Sequence, residues 1–435
     1  MEQKDLVYKT NSCLLQLVRR LSDEPSYSVP VFSSDSLFGT SDNSIQLDAD
    51  TIVASTIVGR IQGKFEQPDH TSKSRLTSAC YRDWEAYESE LSSISWGSLS
   101  NRDRANTYEA GREFQRIVGS LGRFTHLMSE QAPTLGPGET FQSKEGDVSA
   151  FSKLNDIWGW TVSTECAPYA ALIIAQNRGF RQILIEKFFK KKRYQLNQTN
   201  ARRVTLDPIF SKYAKNVGYF ATRVLHEFFY QNADTLIVRG ARASSVYKNR
   251  VERRGINVEP FWDVILEKMA GDTFRFLLKE EGIDLNHRQL IHRHLISINT
   301  LSTVDFKKAS DSILVWLVDK LAGHELFAFL RLFRAQMVLI PGYDQMPARW
   351  FLPNKFSSMG NGLTFELLTL VILSFARSVD KTASVYGDDL ICNTDDAEEI
   401  CSRLRAVGFN TNPKKTFIAK PLRESCGGYF LQDYG

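Results

Sequence analysis

Two adjacent carboxylates at the tip of a tight turn constrain this chain more than any other feature. In Ala383-Ser-Val-Tyr-Gly-Asp-Asp-Leu-Ile-Cys-Asn393, the short apolar runs Val385-Tyr386 and Leu390-Ile391-Cys392 flank Gly387-Asp388-Asp389. Short apolar runs around a Gly-Asp turn predict a β-hairpin. Like charges side by side repel, so this tip is costly unless a cation neutralises it. Hard divalent cations such as Mg²⁺ take carboxylate oxygens and keep room for phosphate. Turn chemistry alone explains a lone hairpin of this kind. Its weight comes from what lies upstream.

Leu301-Ser-Thr-Val-Asp305 reads as a strand ending in a carboxylate, where a buried strand normally avoids one. Asp311 and Ser312 follow at the position of a helix N-cap, before an apolar helix through about Ala322. Phe356 to Leu367 crowds Ser358, Gly360, Asn361 and Gly362 ahead of the longest apolar helix, a start that favours anions and sugar hydroxyls. Between Arg239 and Arg254, six cations (Arg239, Arg242, Lys248, Arg250, Arg253, Arg254) face a single acid, Glu252. So dense a run calls for a polyanion or solvent, and it is expected on a loop between ordered elements. After the hairpin, Asp395 to Val407 predicts an amphipathic helix that buries Ile400, Leu404 and Val407 and ends at Gly408.

Other segments say less. Ser22 to Asp50 is rich in Ser, Asp and Pro and reads as loops, while Trp84 to Ser98 alternates too irregularly to assign. Gly136-Pro-Gly-Glu-Thr140 makes a tight turn, with no lysine or helix signal after it to make a phosphate cradle. Lys187 to Arg193 interleaves aromatics with cations, as either a solvated helix end or a nucleic-acid surface would. The net charge of +4 is too small to identify a partner. Six cysteines, at 13, 80, 166, 392, 401 and 426, show no zinc spacing and suggest reduced thiols in a cytosolic compartment. The polar N-terminus lacks a signal-peptide core, and the apolar run Leu367 to Ala376 is too short to span a bilayer.

A strand-end carboxylate and a two-carboxylate hairpin, with a hydroxyl and amide loop between them, can hold two metal ions roughly 3.5–4 Å apart. Two such ions activate an attacking hydroxyl and stabilise a leaving pyrophosphate, while the basic run neutralises a triphosphate. The order and spacing of these motifs point to a template-directed polymerase rather than a hydrolase.

The chain resembles the RNA-dependent RNA polymerases of levivirus-type single-stranded RNA bacteriophages. The resemblance runs through Gly136-Pro-Gly-Glu-Thr140, Lys248-Asn249, Arg254-Gly-Ile256, Glu259-Pro260, Gly282-Ile-Asp-Leu-Asn286 and Thr303-Val-Asp305 with Ala309-Ser-Asp-Ser312. It continues through Ser358-Met-Gly-Asn-Gly362 with Thr364-Phe-Glu-Leu367, Val385-Tyr-Gly-Asp-Asp389, Lys414-Lys-Thr-Phe417 and Arg423-Glu-Ser-Cys-Gly427. The first 110 or so residues carry no match. The resemblance implies an α+β right hand of fingers, palm and thumb, with the palm an antiparallel sheet backed by helices. It places an N-terminal region and fingers in 1–294, the first metal-ligand motif of the palm in 295–322, an insertion between fingers and palm in 323–354, and the palm through the start of the thumb in 355–435. The thumb is expected to be truncated at Gly435.

By resemblance Asp305 and Asp388 are the principal metal ligands and Asp389 supports the second position, for two Mg²⁺ ions or Mn²⁺ in their place. Asp311 and Asn361 resemble the pair that reads the ribose 2′-hydroxyl, with Ser358 beside them in the nucleotide site. Lys248, Arg253 and Arg254 resemble the cations that hold the triphosphate. Lys414 or Lys415 is expected near the pyrophosphate, with Lys415 counted among the catalytic residues. Lys307 and Lys308 depart from the small or uncharged residues expected there. The implied partners are RNA template and product, nucleoside triphosphates, host elongation factors Tu and Ts and a ribosomal RNA-binding protein, in the cytoplasm of the bacterial host and without membrane contact. Two alternatives remain: a reverse transcriptase, which would want a bulky aromatic against the 2′-hydroxyl, and a catalytically silent RNA-binding protein on a polymerase fold.

Overall fold

The computed structural model describes residues 73–143, 148–191, 217–248 and 252–432. The expected loops of 22–50, Cys13 and Arg250 lie outside them. Helices α1 (Lys73–Ser92), α2 (Asn101–Val118), α3 (Leu121–Glu130) and α4 (Ala167–Gln176) precede the first long strands. Strands β1 (Gly240–Tyr247) and β2 (Arg253–Val258) lead into α5 (Phe261–Glu280) and α6 (Arg288–Leu295). Then come β3 (Leu301–Asp305), α7 (Val315–Ala322), α8 (His324–Phe333), β4 (Met337–Ile340) and β5 (Arg349–Phe351). The last third holds α9 (Thr364–Arg377), β6 (Ser384–Tyr386), β7 (Asp389–Asn393), α10 (Thr394–Ala406), β8 (Leu422–Ser425) and β9 (Gly428–Leu431). Helices and largely antiparallel sheets make this an α+β fold.

Two sheets matter for the site. One is four-stranded, in the order β2-β1-β4-β5, with β1 and β4 parallel and the other pairs antiparallel. A small core of Tyr81, Ala243, Val338, Ile340 and Tyr343 seals it to α1. The other sheet is three-stranded, antiparallel and ordered β3-β7-β6. Its register sets Asp305 opposite Asp389 and Val304 opposite Leu390. Central β7 hides Leu390, Ile391 and Cys392, as a strand covered on both faces should. Helix α9 is buried along its length from Leu367 to Ala376, the signature of a core helix apolar all round.

The hairpin, the strand ending at Asp305, the core helix opened by the Ser-Gly-Asn-Gly segment and the amphipathic helix closed by Gly408 all stand where the sequence puts them. Three expectations need correction. The basic run is not a loop: most of it forms the β1–β2 hairpin, with Tyr247 paired to Arg253 and Val246 to Arg254. Small residues (Ala241, Ala243, Ser244, Ser245) and interspersed charges hide the usual β-branched pattern, and Arg242 is neutralised by Glu139 at 2.9 Å. Asp311 is not an N-cap. It lies in a 3₁₀ turn, Ala309–Ser312, and the helix begins at Val315 after an extended Leu314. The intervening backbone pairs with the segment before α9, Val315 N donating to Asn354 O and Phe356 N to Ile313 O.

The irregular Trp84–Ser98 reading also fails, because residues through Ser92 continue α1. Its buried face mixes Ser78, Tyr81, Tyr87, Glu88 and Leu91, so no apolar stripe is visible in the sequence. Within Lys187–Arg193, Phe188 and Phe189 turn into the core and Lys187 donates to Asn155, so the aromatics serve packing; 192–193 lie outside the described residues. The carbonyls of Gly136 and Gly138 face Lys153 Nζ, which fits a structural turn. Cys80, Cys166, Cys392, Cys401 and Cys426 are free thiols. Among the described residues no helix is long and apolar enough to cross a membrane.

Candidate active site

Asp305 ends β3 because its neighbours hold it there. The Asn412-Pro-Lys-Lys-Thr416 turn wraps the strand end, and Asn412 Nδ2 donates to Asp305 Oδ1 at 2.8 Å. Asn412 N donates to the Asp305 carbonyl at 2.8 Å. Lys415 Nζ lies 3.4 Å from Asp305 Oδ2 and 3.9 Å from Glu424 Oε2. Lys415, one of the two candidate lysines, is thereby bonded into the carboxylate cluster.

The opposing turn is fixed by glycine. Gly387 has φ of +62°, and a Cβ there would fall 2.6 Å from Phe365 Cε2, so α9 and the turn can touch only without a side chain. Gly387 N donates to Thr369 Oγ1 of α9 at 3.0 Å. The turn therefore delivers Asp388 to the face where Asp305 ends. Asp389 Oδ2 accepts from Cys426 N at 3.1 Å, which ties β7 to the β8–β9 hairpin.

Among the described residues, Asp305, Asp388, Asp389 and Glu424 gather around the Lys415 ammonium, with Arg254 also acting on Asp388. Burial raises the Asp388 carboxyl, and the charge of Asp305 raises it further, against Lys415 and Arg254. Asp389 is pushed up to about 7 by burial, then by Glu424, Asp388 and Asp305. Burial opposes the charge of Lys415, but Asp305 and Glu424 more than offset it and its pKa rises. Among the described residues no group of three or more His, Cys, Asp or Glu side chains is arranged to hold a metal ion. The donor chemistry still fits a hard divalent cation: carboxylate oxygens crowd together, and burial, then neighbouring carboxylates, raise the proton affinity of Asp388 and Asp389.

Beside these strand tips opens a cleft of about 710 Å³. It brings together Lys248, Arg253 and Arg254 from the basic hairpin, Asp311 from the 3₁₀ turn, Asn361 from the glycine-rich loop and Asp388. The cations differ in freedom. Arg254 is exposed and lies 3.7 Å from Met359 Sδ. Arg253 is held by Ser245 Oγ at 2.7 Å and stacks over the Tyr247 ring at 4.3 Å. Lys248 pairs with Glu252 on the surface at 2.9 Å. Lys308, in the left-handed region at φ +50°, pairs with Asp83 at 2.8 Å and lies over Tyr87.

The loop before α9 is clamped on both sides. Gly360 has φ of +105°, and a Cβ there would strike the Asn257 carbonyl of β2 at 2.1 Å. Asn361 is buried; its Nδ2 donates to Glu267 and its Oδ1 accepts from Leu363 N at 3.1 Å. Gly362 N donates to Glu267 Oε2 at 3.0 Å. Among the described residues the buried Ser358 hydroxyl meets no hydrogen-bond partner, while its carbonyl accepts from Thr364 Oγ1.

Four contributors escaped the reading of the sequence. Glu424 belongs to a segment that stood out, Arg423 to Gly427, yet nothing there marked it as part of the acidic cluster. Lys355 and Glu88 look like ordinary charged residues until burial is known. The whole of α1, which walls the cleft with Cys80, Asp83, Trp84 and Tyr87, gave no signal.

The family profile described as RNA replicase, beta-chain, matches residues 206–434, more than half of the chain. The RNA-directed RNA polymerase subunit beta of Enterobacteria phage SP is 38% identical over 201 residues, covering 44% of this chain and 34% of that protein. The subunit beta of Qbeta virus (strain MX1) is 36% identical over 200 residues, 44% of this chain and 33% of its own length. The RNA-directed RNA polymerase beta chain of Escherichia phage MS2 is 35% identical over 206 residues, 45% of this chain and 36% of its own. The chain thus spans about a third of the length of these relatives.

Proposed function

The chain belongs to the RNA replicase beta-chain family, and from that premise we propose that it carries the active site of a template-directed RNA polymerase copying a single-stranded RNA phage genome. The observation that carries this reading is the convergence, in one cleft, of Asp388 at an acid-rich strand tip with Arg253, Arg254 and Asp311. In the right-hand description, β3, β6 and β7 with α9 form the palm, β1 and β2 belong to the fingers, and 323–354 is the insertion between them. The segment past Arg423 begins the thumb.

Asp305 and Asp388 would hold the divalent cations, Mg²⁺ or Mn²⁺, with Asp389 in support. Bound there, the ions would acidify the primer 3′-hydroxyl and neutralise the departing pyrophosphate. Arg254, with Arg253 and Lys248, draws the triphosphate in and orients its phosphates, contacts that carry no base information. Asp311 and Asn361 take the ribose side, with Ser358 contributing its buried hydroxyl. Lys415, charged and 3.4 Å from Asp305, is placed to give a proton to the leaving pyrophosphate. Since relatives are called subunit beta, the chain is taken to work within a larger assembly in the cytoplasm of the infected bacterium. Host elongation factors Tu and Ts and a ribosomal RNA-binding protein are the expected companions.

The direct test is incorporation of labelled nucleotide on an RNA template. Activity should require Mg²⁺ or Mn²⁺, vanish with EDTA, and fall by roughly 10³-fold or more in Asp388→Asn while the thermal midpoint holds or rises. Incorporation within tenfold of wild type by a folded Asp388→Asn would remove the carboxylate from the chemistry.

A further inference from the structure

Behind Asp311 lies an ammonium that neither the proposed chemistry nor the basic hairpin accounts for. Lys355 has a side chain 1% exposed, and its Nζ lies 2.6 Å from Asp311 Oδ1. On its other side, Glu88 of α1, itself 2% exposed, places Oε1 at 3.6 Å. The Trp84 ring sits beneath the ammonium, 4.4 Å from Nζ to the ring centroid. Glu88 is anchored in turn, its Oε2 accepting from Asn354 N at 2.8 Å. The adjacent residue of α1, Tyr87, shares a 2.6 Å hydrogen bond from its Oη with Ser312 Oγ. Asp311 itself lines the cleft and is 23% exposed.

A buried ion cluster adds little net stability, because desolvation offsets most of its attraction. What it does supply is position. Without Lys355, the Asp311 carboxylate in its short 3₁₀ turn would be free to take other rotamers or to pair with Lys308, which also lines the cleft, and would lose its single fixed orientation. A single bond to Lys355 occupies one carboxylate oxygen and leaves the other for a ligand.

We propose that Lys355, clamped between Glu88 and the Trp84 ring, is a positioning residue for sugar selection: its ammonium fixes Asp311 so that the free oxygen accepts the ribose 2′-hydroxyl of the incoming nucleotide. The proposal rests on the reading of Asp311 as a ribose contact. It also gives α1 a function: through Glu88 and Trp84 the helix sets the geometry of a residue more than 200 positions later in the chain.

Steady-state incorporation of ribo- and deoxynucleoside triphosphates by the full chain on an RNA template separates the outcomes. In Lys355→Met the ribonucleotide KM should rise roughly tenfold, with deoxynucleotide KM changed less than about twofold and kcat nearly constant, since one charged hydrogen bond to substrate is lost. Asp311→Asn should narrow the same ratio, and the double variant should be no worse than the worse single one. If Lys355→Met slows both sugars equally, or adds independently to Asp311→Asn, the positioning role is overturned. If Asp311→Asn leaves the ratio intact, the ribose reading itself fails. Should Lys355→Met not fold, Glu88→Gln serves instead. It keeps the acceptor for Asn354 N but removes the carboxylate that clamps the ammonium, so the ribonucleotide KM should rise a few-fold and the ratio narrow, and an unchanged ratio in the folded variant would refute the proposal.

Discussion

At the strand tips, Asp305, Asp388, Asp389 and Glu424 stand beside an open cleft. Glu259, Asp263 and Glu267 lie just behind it at the head of α5, and all three are 4% exposed or less. Among the described residues both clusters crowd carboxylates together. The inner one settles its charge by keeping protons: burial, with Asp263 adding to it, pushes Glu259 up to about 8, and burial raises Asp263 to about 7. Arg334, whose charge acts on Glu259 and Glu267, spends donors on the carbonyls of Phe356 and Lys355, at 2.6 and 2.8 Å. On the proposed reading the outer cluster exchanges protons for cations arriving through the cleft, a route the enclosed inner cluster lacks. Access, more than the count of acids, separates a site from a scaffold.

Exchanging acid for amide in each cluster should break the comparison if anything does. Asp305→Asn is expected to lower nucleotide incorporation by about 10³-fold with an unchanged or higher melting temperature. Asp263→Asn, which keeps the acceptor for Ser163 N at 2.9 Å, should leave incorporation within about threefold. A folded Asp263→Asn as inactive as Asp305→Asn would place the inner cluster in the chemistry.

A smaller effect sharpens the same contrast through pH. Glu259 binds its proton up to about pH 8 when folded, whereas an ordinary glutamate in the unfolded chain releases it near 4.5. Between those values the native state holds the extra proton, so stability falls as pH rises through the window. From pH 6 to pH 8 urea unfolding should show a loss on the order of 1–2 kcal/mol from this group, flattened in Glu259→Gln. Identical slopes in the two proteins would mean that Glu259 is already ionised in the fold.

Smallest is the effect at the cleft mouth. Arg254→Ala should raise KM a few-fold for all four nucleotides alike, because an exposed phosphate contact carries no base information. A change confined to one nucleotide would recast Arg254 as a base reader.

The outer cluster was legible because its residues come in short, ordered motifs: Asp305 after Thr-Val, and Asp388-Asp389 after a glycine that Phe365 leaves no alternative to. The inner cluster was not. Glu259, Asp263 and Glu267 recur every four residues along an apolar helix start, and sequence alone cannot tell a solvated acidic face from one enclosed by Arg334 and the 356–363 loop. Asp311 shows the limit from the other side. Its importance was visible, but the N-cap assigned to it gave way to a 3₁₀ turn and a buried lysine 44 positions away. Helix α1 was illegible because its buried face is built from Tyr, Ser and Glu, whose partners lie in another part of the chain.

That distance has a cost in time. Tyr87 meets Ser312 across 225 residues and Glu88 meets Asn354 across 266. At a ribosome's pace of about 5–20 residues per second, those partners emerge roughly 10–50 s after α1 does. Through that interval the first wall of the cleft waits with a carboxylate and two aromatic rings uncovered, a high-contact-order closure that exposes the nascent chain to aggregation and to chaperones.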